Sequence, residues 1–505
     1  MPTSTELSSR TIFYRCLFAA LGVHLCAAYF SAGFYHWDEQ FQILEATHHV
    51  LSRSEFRDLP WEFQAELRPW LQPMTLAAFA HALSLFGITD PFTWAFFFRL
   101  FSAGLGLASV FGLLLSVQSR LSPSPWRLAA VLSASLWFLP FLHVRVSSES
   151  WSGSCFFLAF ALLVPRVIRR DFPTKKIGFL VGWLLALAFE FRYQSAILGA
   201  GLILWSLYNL GQPSLAQFRQ VWIPILTGMI LGLGVGVIAD DLGYGHWCFP
   251  AYRYFVANLL EHRAAQYGTS PWWEYFRLLA FRSSPPLGLL ILFSAVLTFW
   301  YRPRHPLTWT LLPFFLIHCF IGHKELRFLF PLADTVPLLF CLAGESWEKL
   351  GFSSAFQLRL FQVGFGLNLI LLLISITTPA WSEIQVLKYL YRHPSEEIAY
   401  LGESPYLVAG IPINYYRPPQ ARFFPLQDDA QLRSFVARQQ VPFLISVKGP
   451  TLPAHIRTLL PLCRLEFSSL PKWLLRDNWL NRFHLRPWTL WRCPLSSPAQ
   501  PLSPK

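Results

Sequence analysis

Two short charged segments interrupt an apolar sequence, and the first could supply a general base. It spans residues 36–42, directly after the first hydrophobic stretch, and contains the adjacent carboxylates of Asp38 and Glu39. A carboxylate held beside a substrate hydroxyl can accept its proton if the carboxylate pKa suits the reaction. The alternative interpretation is a solvated turn, which is the ordinary setting of an isolated Asp-Glu pair.

The second charged segment, residues 322–328, could bind a phosphate group. It combines three cations with one anion, namely His323, Lys324, Arg327 and Glu325. Cationic side chains, and arginine above all, form strong hydrogen bonds with phosphate oxygens. The alternative is that these charges only anchor helix ends at a membrane surface.

The composition of the chain explains why both segments are candidates for function. Of its 505 residues, 54% are hydrophobic and only 14% are charged, which is far from the balance of a soluble domain. Ionisable groups at membrane depth are costly unless they face water or a partner. The net charge of +13 comes from Lys and Arg scattered among short loops, a pattern of membrane topology rather than of nucleic-acid binding. The sequence therefore predicts an integral membrane protein.

Hydrophobic windows of helix-spanning length recur along the chain, and about eleven of them predict an all-α multi-span fold. The first, at 12–34, follows a polar N-terminal segment and is typical of a retained signal anchor. Basic residues accumulate on the cytoplasmic side, and those at 166–176 and 302–304 place both charged segments on the opposite face. This arrangement requires an odd number of crossings within residues 71–118.

Loops and a C-terminal region complete the predicted organisation. Residues 1–381 are expected to form the transmembrane domain, with a first extracytoplasmic loop at 35–70 and a large loop at 240–285. In the first loop, apolar and polar residues at helical spacing predict a helix along the membrane interface. Residues 382–505 are proline-rich with short apolar runs, which predicts a small α+β extracytoplasmic domain. Cys463 and Cys493 could be bridged there if that face is oxidising.

Further candidate residues fall in loops on the same predicted face. Arg192 joins two short spans and could reach the same phosphate as the second charged segment, with Glu190 as a buried counter-charge. Aromatic faces beside polar groups suit packing against sugar rings, and glycines permit close turns. The alternative is an interfacial aromatic belt. The large loop supplies such residues at Asp240, Tyr244 and Trp272.

Taken in order along the chain, these motifs resemble glycosyltransferase family 22 over about residues 12–380. The likeness rests on Asp-Glu-x-Phe-Gln at 38–42, Trp61-Glu62-Phe63 with Arg68, residues 145–150, Phe191-Arg192, residues 240–245, Gly268-x-x-Pro271-Trp272, and His323-Lys324-Glu325-x-Arg327-Phe328. The family comprises α-mannosyltransferases that depend on dolichyl- or polyprenyl-phosphate-mannose. Within it, the sequence is most similar to the GPI mannosyltransferase 3 branch and is related to the Alg9-type branch. Departures at Trp37, Pro69, Glu149 and Asp241 affect the acceptor side more than the reaction.

The resemblance implies a GT-C fold with its active site on the non-cytoplasmic face, within residues 1–381. Asp38 is then the general base and Glu39 its neighbour. The residues implied in donor phosphate binding are His323, Lys324, Arg327 and Arg192. Those implied in other substrate contacts are Asp240, Tyr244, Trp272, Trp61, Glu62 and Arg68. We expect neither a metal ion nor another cofactor, although an Asp-Glu pair could hold Mg²⁺ or Mn²⁺.

The implied function is inverting transfer of mannose from a lipid-phosphate donor to a hydroxyl of a glycan or glycolipid. The expected partners are the lipid-linked donor, that acceptor and membrane lipids, in the endoplasmic reticulum or a bacterial inner membrane. One alternative is a GT-C transferase that uses another lipid-phosphate sugar. Another is a lipid or solute transporter, which would also place charges at helix breaks but would show an internal repeat. The sequence contains no such repeat.

Overall fold

The computed structural model describes residues 4–118, 121–171, 173–211, 214–347, 350–351, 353–393, 397–472, 475 and 486–494. The chain forms two compact units. The first comprises Met1–Leu51, Leu59–Thr89 and Thr93–Thr378, and the second comprises Ser52–Asp58, Asp90–Phe92 and Pro379–Lys505. Every residue of the predicted site lies in the first unit.

Most described residues up to residue 378 are helical. Each predicted hydrophobic window coincides with one or two of these helices. The α-helices are α1 (Ser4–Phe30), α2 (Glu45–Val50), α3 (Trp61–Gln64), α4 (Leu71–Ser84), α5 (Pro91–Ser116), α6 (Pro123–Ser135), α7 (Phe138–His143), α8 (Ser148–Arg169), α9 (Lys175–Phe191), α10 (Ser195–Leu210), α11 (Leu215–Tyr244), α12 (Pro250–Phe255), α13 (Glu274–Arg282), α14 (Pro285–Tyr301), α15 (Pro306–Phe320), α16 (Val336–Trp347) and α17 (Ser354–Thr377). Shorter π-helical and 3₁₀ segments include Glu39–Leu44 and Leu326–Thr335.

Six helical stretches among the described residues are long and apolar enough to cross a membrane. They are Arg10–Phe30, Pro91–Ser116, Ser148–Arg169, Leu215–Tyr244, Leu326–Gly344 and Leu358–Thr377. Shorter apolar helices α10, α14 and α15 accompany them. The predicted all-α multi-span membrane fold is therefore confirmed.

The window at residues 71–118 contains one full-length span. Helix α5 has 26 residues and rises about 39 Å, whereas α4 has 14 residues and rises about 21 Å. The hydrocarbon core is about 30 Å thick, so α5 can cross it alone and α4 is too short. This agrees with the odd number of crossings that the two charged segments require.

A helix break between α6 and α7 is stabilised by one asparagine side chain. Leu136 has an extended backbone, which would leave polar backbone groups unpaired in an apolar surrounding. Asn368 of α17 accepts from the Trp137 N–H at 2.9 Å and donates to the Ser135 carbonyl at 2.7 Å. The break ends α6 and directs α7 toward the site.

Helices α9 and α11 pack closely through glycine. A Cβ on Gly182 would lie 1.9 Å from the Ile225 carbonyl oxygen, and one on Gly228 would lie 2.1 Å from the Phe179 carbonyl oxygen. Small residues let membrane helices approach to backbone contact. This packing fixes the ends of α9 and α11 that carry Arg192 and Asp240 into the site.

A hydrogen-bonded chain of four buried side chains, here the buried tetrad, links α1, α5, α7 and the Leu326–Thr335 segment. Ser109 donates to one carboxylate oxygen of Asp334. The other oxygen lies 2.8 Å from His143 Nε2, and His143 Nδ1 lies 2.9 Å from His24 Nε2. His24 Nδ1 ends the chain at the Ala20 carbonyl, 2.7 Å away.

The elements of the second unit are α18 (Ile384–Arg392), β1 (Ile398–Leu401), β2 (Leu407–Val408), β3 (Ile411–Pro412), β4 (Phe423–Leu426), α19 (Asp429–Arg438), β5 (Phe443–Lys448), α20 (Ala454–Leu459), β6 (Arg464–Ser468) and β7 (Trp488–Cys493). Five of the strands form a sheet in the order β4-β1-β5-β7-β6. Strand β1 pairs in parallel with β4 and β5, and β7 pairs antiparallel with β5 and β6. The apolar run at 442–447 forms β5, as predicted.

The core of this sheet lies against α19 and α20, where Ile445, Phe435 and Ile456 are buried. Cys463 and Cys493 are disulfide-bonded, with their Cα atoms 4.2 Å apart. The bond joins the turn before β6 to the end of β7.

Candidate active site

The two charged segments meet, although they are far apart in the chain. Arg327 pairs with Asp38 across 289 residues. Asp38 precedes the π-helical turn Glu39–Leu44, and Arg327 lies in the first turn of the 3₁₀ segment after α15. The two segments, which the sequence analysis places on one membrane face, are therefore in direct contact.

Helical residues after Asp38 are buried instead of lying along the membrane interface. Residues 39–48 are all buried, so the prediction that this loop lies along the membrane interface is wrong for these residues. Their polar side chains find partners inside the protein: Gln40 donates to Glu45 at 2.8 Å, and Gln42 donates to Glu62 at 3.1 Å. This packing holds Asp38 on a rigid support.

Three cationic groups surround the Asp38 carboxylate. Besides Arg327, His36 Nδ1 lies 3.4 Å from Oδ1 and Arg68 Nη2 lies 3.9 Å from Oδ2. Burial alone would raise the pKa of Asp38, but Arg327, His36 and Arg68 outweigh it and hold that pKa well below its usual value. Asp38 is therefore ionised at neutral pH.

Glu325 connects the cations on the other side of Arg327. Its carboxylate accepts from Arg327 Nε at 2.5 Å and lies 3.0 Å from His36 Nε2 and 2.8 Å from His323 Nε2. Burial would lower the pKa of His36, but its contacts with Asp38 and Glu325 raise that pKa to about 9. His36 is therefore cationic at neutral pH, and the pKa of Glu325 lies well below normal, because these partners outweigh its burial.

Glu149 bridges Arg327 to Arg192. The Glu149 carboxylate, 2% exposed, has Oε1 3.4 Å from Arg327 Nη1 and 3.2 Å from Arg192 Nη2. The Phe328 ring contacts both guanidinium groups, at 5.2 Å from Arg327 and 5.4 Å from Arg192. The counter-charge of Arg192 is thus Glu149, and the expectation that Glu190 would fill this role is wrong.

Arg68 is held beside Asp38 by residues of two other elements. Arg68 Nη2 donates to Glu62 at 2.9 Å, which holds the guanidinium beside Asp38. Asp240 accepts from the Trp70 backbone N–H at 2.8 Å, and the Tyr244 hydroxyl donates to the Arg68 carbonyl at 2.7 Å. The structure therefore places Asp240 and Tyr244 against the backbone that carries Arg68.

Glu39, next to Asp38, binds backbone N–H groups. Its Oε1 accepts from the backbone N–H groups of Tyr35 and His36, at 3.0 and 3.3 Å. Burial raises its pKa. These contacts stabilise the turn that ends α1, and Arg145 stabilises the same turn by donating to the carbonyls of Ser31 and Gly33.

The ion pairs described above form one group, here the ionic cluster, of His36, Asp38, Glu62, Arg68, Glu149, Arg192, His323, Glu325 and Arg327. Three further predicted site residues contact the large loop instead. Lys324 Nζ donates to the carbonyls of Ser270 and Ile321, at 3.0 and 2.5 Å. The Trp61 indole donates to the Tyr267 hydroxyl at 2.7 Å. Trp272 is 60% exposed and packs edge-on against Phe276. These residues line the large loop near the cluster without touching Asp38 or Arg327.

A cavity opens beside the ion pair, and its lining includes residues that the sequence analysis did not assign. His36, Ser147, Ser148 and Glu149 are the polar members of this group. All lie within the segments 36–42 and 145–150 that were singled out, so their position in these segments was the available signal. The lining residues are His36, Asp38, Glu39, Ile43, Ser147, Ser148, Glu149, Arg327 and Phe330.

The fold is that of a known class of membrane enzymes. The crystal structure of ArnT from Cupriavidus metallidurans bound to undecaprenyl phosphate matches with a TM-score of 0.55 and 10% identity, covering 97% of this chain and 98% of that chain. The apo state of the same protein matches with a TM-score of 0.50. At this identity the likeness concerns the fold, which is the GT-C fold that the resemblance implied.

Sequence comparison then gives the family. The pattern of the Alg9-like mannosyltransferase family matches residues 15–425. The chain belongs to this glycosyltransferase family, which confirms the resemblance to family 22.

Relatives in the family are named as GPI mannosyltransferases. GPI mannosyltransferase 3 of Yarrowia lipolytica is 28% identical over 338 residues, covering 66% of this chain and 62% of that protein. GPI alpha-1,2-mannosyltransferase 3 of Danio rerio is 24% identical, covering 62% of this chain and 55% of that protein. The chain thus spans less than two thirds of the length of these relatives.

Proposed function

We propose that this protein is an inverting α-mannosyltransferase that moves mannose from a polyprenyl- or dolichyl-phosphate donor to a hydroxyl of a glycan or glycolipid. The observation that carries the proposal is the contact between Asp38 and Arg327 beside a cavity. In a single displacement, the carboxylate and the phosphate-binding cation must be close enough to act on the same sugar ring. Family membership and the named relatives support mannose as the sugar.

In the proposed reaction, Asp38 accepts the proton of the acceptor hydroxyl. The hydroxyl oxygen forms a bond to the anomeric carbon while the bond from that carbon to the phosphate oxygen breaks, and the electron pair leaves with the lipid phosphate. Attack from the face opposite the phosphate inverts the configuration. Arg327, with Arg192 behind it, stabilises the charge on the leaving phosphate in a site that excludes water.

Donor binding also makes Asp38 a stronger base in this mechanism. Without donor, Arg327 contacts the Asp38 carboxylate and lowers its pKa, which weakens it as a proton acceptor. A donor phosphate competes for the same guanidinium, because arginine binds phosphate in a bidentate manner. As Arg327 turns to the phosphate, the pKa of Asp38 rises toward the value a general base needs.

The proposal is tested with the purified full chain in nanodiscs, supplied with radiolabelled dolichyl-phosphate-mannose and a panel of synthetic mannosyl lipids. Asp38→Asn is expected to lower transfer by about 10²- to 10⁴-fold with an unchanged melting temperature. Glu261→Gln is the matched control, since Glu261 is exposed and pairs only with Arg263 among the described residues. Unchanged transfer in Asp38→Asn would remove Asp38 from the mechanism.

The same assay separates the other candidate functions. Transfer from dolichyl-phosphate-glucose but not from the mannose donor would identify a GT-C enzyme with another sugar. Movement of the donor lipid across the bilayer without transfer would identify a transporter.

We further propose that the site faces the non-cytoplasmic side. Basic residues at the far end of α8 and the start of α9, Arg169, Arg170, Lys175 and Lys176, support this orientation. In sealed vesicles of known orientation, a membrane-impermeant maleimide should label Glu261→Cys from the non-cytoplasmic side and Lys175→Cys from the cytoplasmic side. The reverse pattern would contradict the proposal.

A further inference from the structure

Glu149 contacts both arginines that the proposed reaction assigns to the leaving phosphate. Its Oε1 lies 3.2 Å from Arg192 Nη2 and 3.4 Å from Arg327 Nη1. Its Oε2 accepts from the Ser148 hydroxyl at 3.3 Å, and the side chain lines the cavity that also contains Asp38. A phosphate group bound by the two arginines therefore lies next to a carboxylate.

The start of α8 holds Glu149 at this position. Glu149 lies in the first turn of the helix, directly after Ser148. Ser147 caps that turn, since its hydroxyl accepts from the Ser150 N–H at 3.2 Å. The helix dipole stabilises a negative charge in the first turn. The carboxylate is therefore a fixed part of the cavity wall.

Arg192 keeps Glu149 paired even when Arg327 binds a ligand. Arg327 contacts two other carboxylates besides Glu149, whereas Glu149 is the carboxylate within ion-pair distance of Arg192 among the described residues. Arg192 Nε is buried and has no hydrogen-bond partner in the described part of the chain. Its guanidinium group therefore retains donor capacity beyond the contact with Glu149.

Positive and negative groups of the ionic cluster are equal in number when His36 is counted as cationic. The three arginines and His36 face four carboxylates, namely Asp38, Glu62, Glu149 and Glu325. A lipid phosphodiester adds one negative charge to this balance, and each further charge on the phosphate adds to the excess. Without the charge of Glu149, the same cluster would have one cation more than it has carboxylates.

The proposed reaction increases the charge on the phosphate. The donor is a phosphodiester with one negative charge. When its bond to the anomeric carbon breaks, the electron pair stays on the phosphate oxygen and the acceptor proton passes to Asp38. The product is a lipid monophosphate, which carries about two charges at pH 7. Negative charge thus moves from Asp38 toward Glu149. Like charges about 5 Å apart in a protein repel enough to change an affinity tenfold or more.

We propose that Glu149 determines the charge selectivity of the donor site, by limiting its affinity for lipid phosphates that carry more than one negative charge. The product monophosphate is then held no more tightly than the donor, and lipid diphosphates are disfavoured as ligands. This inference rests on the proposed function, because that function identifies the ligand of the two arginines.

The test measures binding, without sugar transfer, to the full chain in nanodiscs by isothermal titration calorimetry at pH 7. Three probes share one short polyprenyl chain: the methyl phosphodiester, the monophosphate and the more highly charged diphosphate. Wild type should bind the monophosphate no more tightly than the methyl phosphodiester. Glu149→Gln should raise the affinity for the monophosphate, relative to the methyl phosphodiester, by about tenfold, and that for the diphosphate at least as much.

Two further variants separate charge from structure. Glu149→Asp keeps the charge and should keep the wild-type order of the three probes. Glu66→Gln is the matched control, because Glu66 also contacts two cationic side chains, His246 and Arg253, and does not line the cavity. Its affinities should show no trend with the charge of the probe.

Several results would overturn the inference. In the wild type, tenfold tighter binding of the monophosphate than of the methyl phosphodiester would contradict it without any variant. An equal change for all three probes in Glu149→Gln would mean that Glu149 only holds the arginines in place, and the same trend in Glu66→Gln would mean a general effect of charge. Normal mannose transfer with either result would reject this inference alone. Charge selectivity in a protein that transfers no mannose would reject the proposed function instead.

Discussion

Two buried polar groups in the first unit share one segment of chain and differ in purpose. The ionic cluster around Asp38 uses Arg327, at the start of the Leu326–Thr335 segment. The buried tetrad uses Asp334, near the end of that segment. Each charged group of the ionic cluster contacts several partners, and the cluster borders a cavity. In the buried tetrad, each side chain is hydrogen-bonded only to the next along an unbranched chain. Polar groups in a membrane bundle can thus take part in a reaction or hold helices together. Charged groups that border a cavity, where a ligand can contact them, distinguish the first case.

Hydrogen-bond direction supports a structural role for the buried tetrad. A carbonyl only accepts, so His24 Nδ1 donates to Ala20. With His24 neutral, its Nε2 accepts from His143 Nδ1, and one proton remains between His143 Nε2 and Asp334. Either position of that proton leaves the group without net charge. Four helical elements are thereby joined by three side-chain hydrogen bonds.

Among the cations, the largest expected effect comes from Arg327, which contacts Asp38, Glu149 and Glu325. Arg327→Met leaves Asp38, Glu149 and Glu325 without their shared cation. Loss of one preorganised charge-stabilising group costs about 10²- to 10³-fold in rate, and we expect at least this loss of mannose transfer. The measurement is transfer from dolichyl-phosphate-mannose under saturating donor. Arg263→Met, at an exposed ion pair with Glu261, is the control and should retain the wild-type rate.

The buried tetrad should respond in stability before activity. Asp334→Leu leaves His143 and Ser109 without their acceptor, and breaking a buried pair costs about 3–5 kcal/mol. Gly106→Ala tests the same region sterically, because an added Cβ would lie 2.4 Å from the His143 ring. Both variants should lower the melting temperature while transfer, measured below it, keeps a near-normal KM for donor. An Asp334→Leu protein of unchanged stability but with no transfer would place the buried tetrad in the reaction.

The pH dependence of stability should report on the ionic cluster through His36. The pKa of His36 is raised to about 9 from 6.5, so its stabilising effect is complete below pH 6.5 and is lost as the pH rises to 9. Wild-type melting temperature should therefore fall over this range, and His36→Gln should flatten the decline. His455→Gln, in an exposed contact of the second unit, should follow the wild type. A decline of equal slope in His36→Gln would contradict the assignment.

At low pH the sign reverses for the carboxylates. The pKa values of Asp38 and Glu325 lie below normal, so their contribution is present above about pH 4 and is lost as the pH falls further. The ionic cluster therefore stabilises the fold most between about pH 4, where the carboxylates are ionised, and about pH 6.5, above which the contribution of His36 declines.

The sequence predicted site residues where charged side chains stand in an apolar stretch. Charges that interrupt apolar stretches identified Asp38 and Arg327, and the periodicity of apolar residues located the spans. The same reasoning applies to His24, His143 and Asp334, which lie in apolar windows and would have qualified as candidates. No local motif accompanies them, and their partners come from helices more than a hundred residues apart, so the sequence alone does not connect them.

Pairing among charges could not be predicted, because it depends on backbone direction. Glu325 has an extended conformation, with φ −129° and ψ 142°, so adjacent side chains point to opposite sides. Glu325 therefore joins Arg327, while Lys324 turns to the loop at Ser270. Glu149 and Glu190 are both near Arg192 in the predicted topology, and only the packing of α8 against α9 decides for Glu149.

Lys324 provides the smallest expected effect and the sharpest test of this difference. In the structure its ammonium group donates to two backbone carbonyls, and each such bond contributes about 1 kcal/mol. Because the amide of Gln can still donate to one of these carbonyls, Lys324→Gln should reduce kcat/KM by less than about tenfold, through a loosened loop around Ser270, and should leave kcat nearly unchanged. A loss as large as that of Arg327→Met would mean that Lys324 leaves these carbonyls for the donor phosphate. The comparison of the two variants in one assay thus decides whether one cation of this segment or two act on the leaving group.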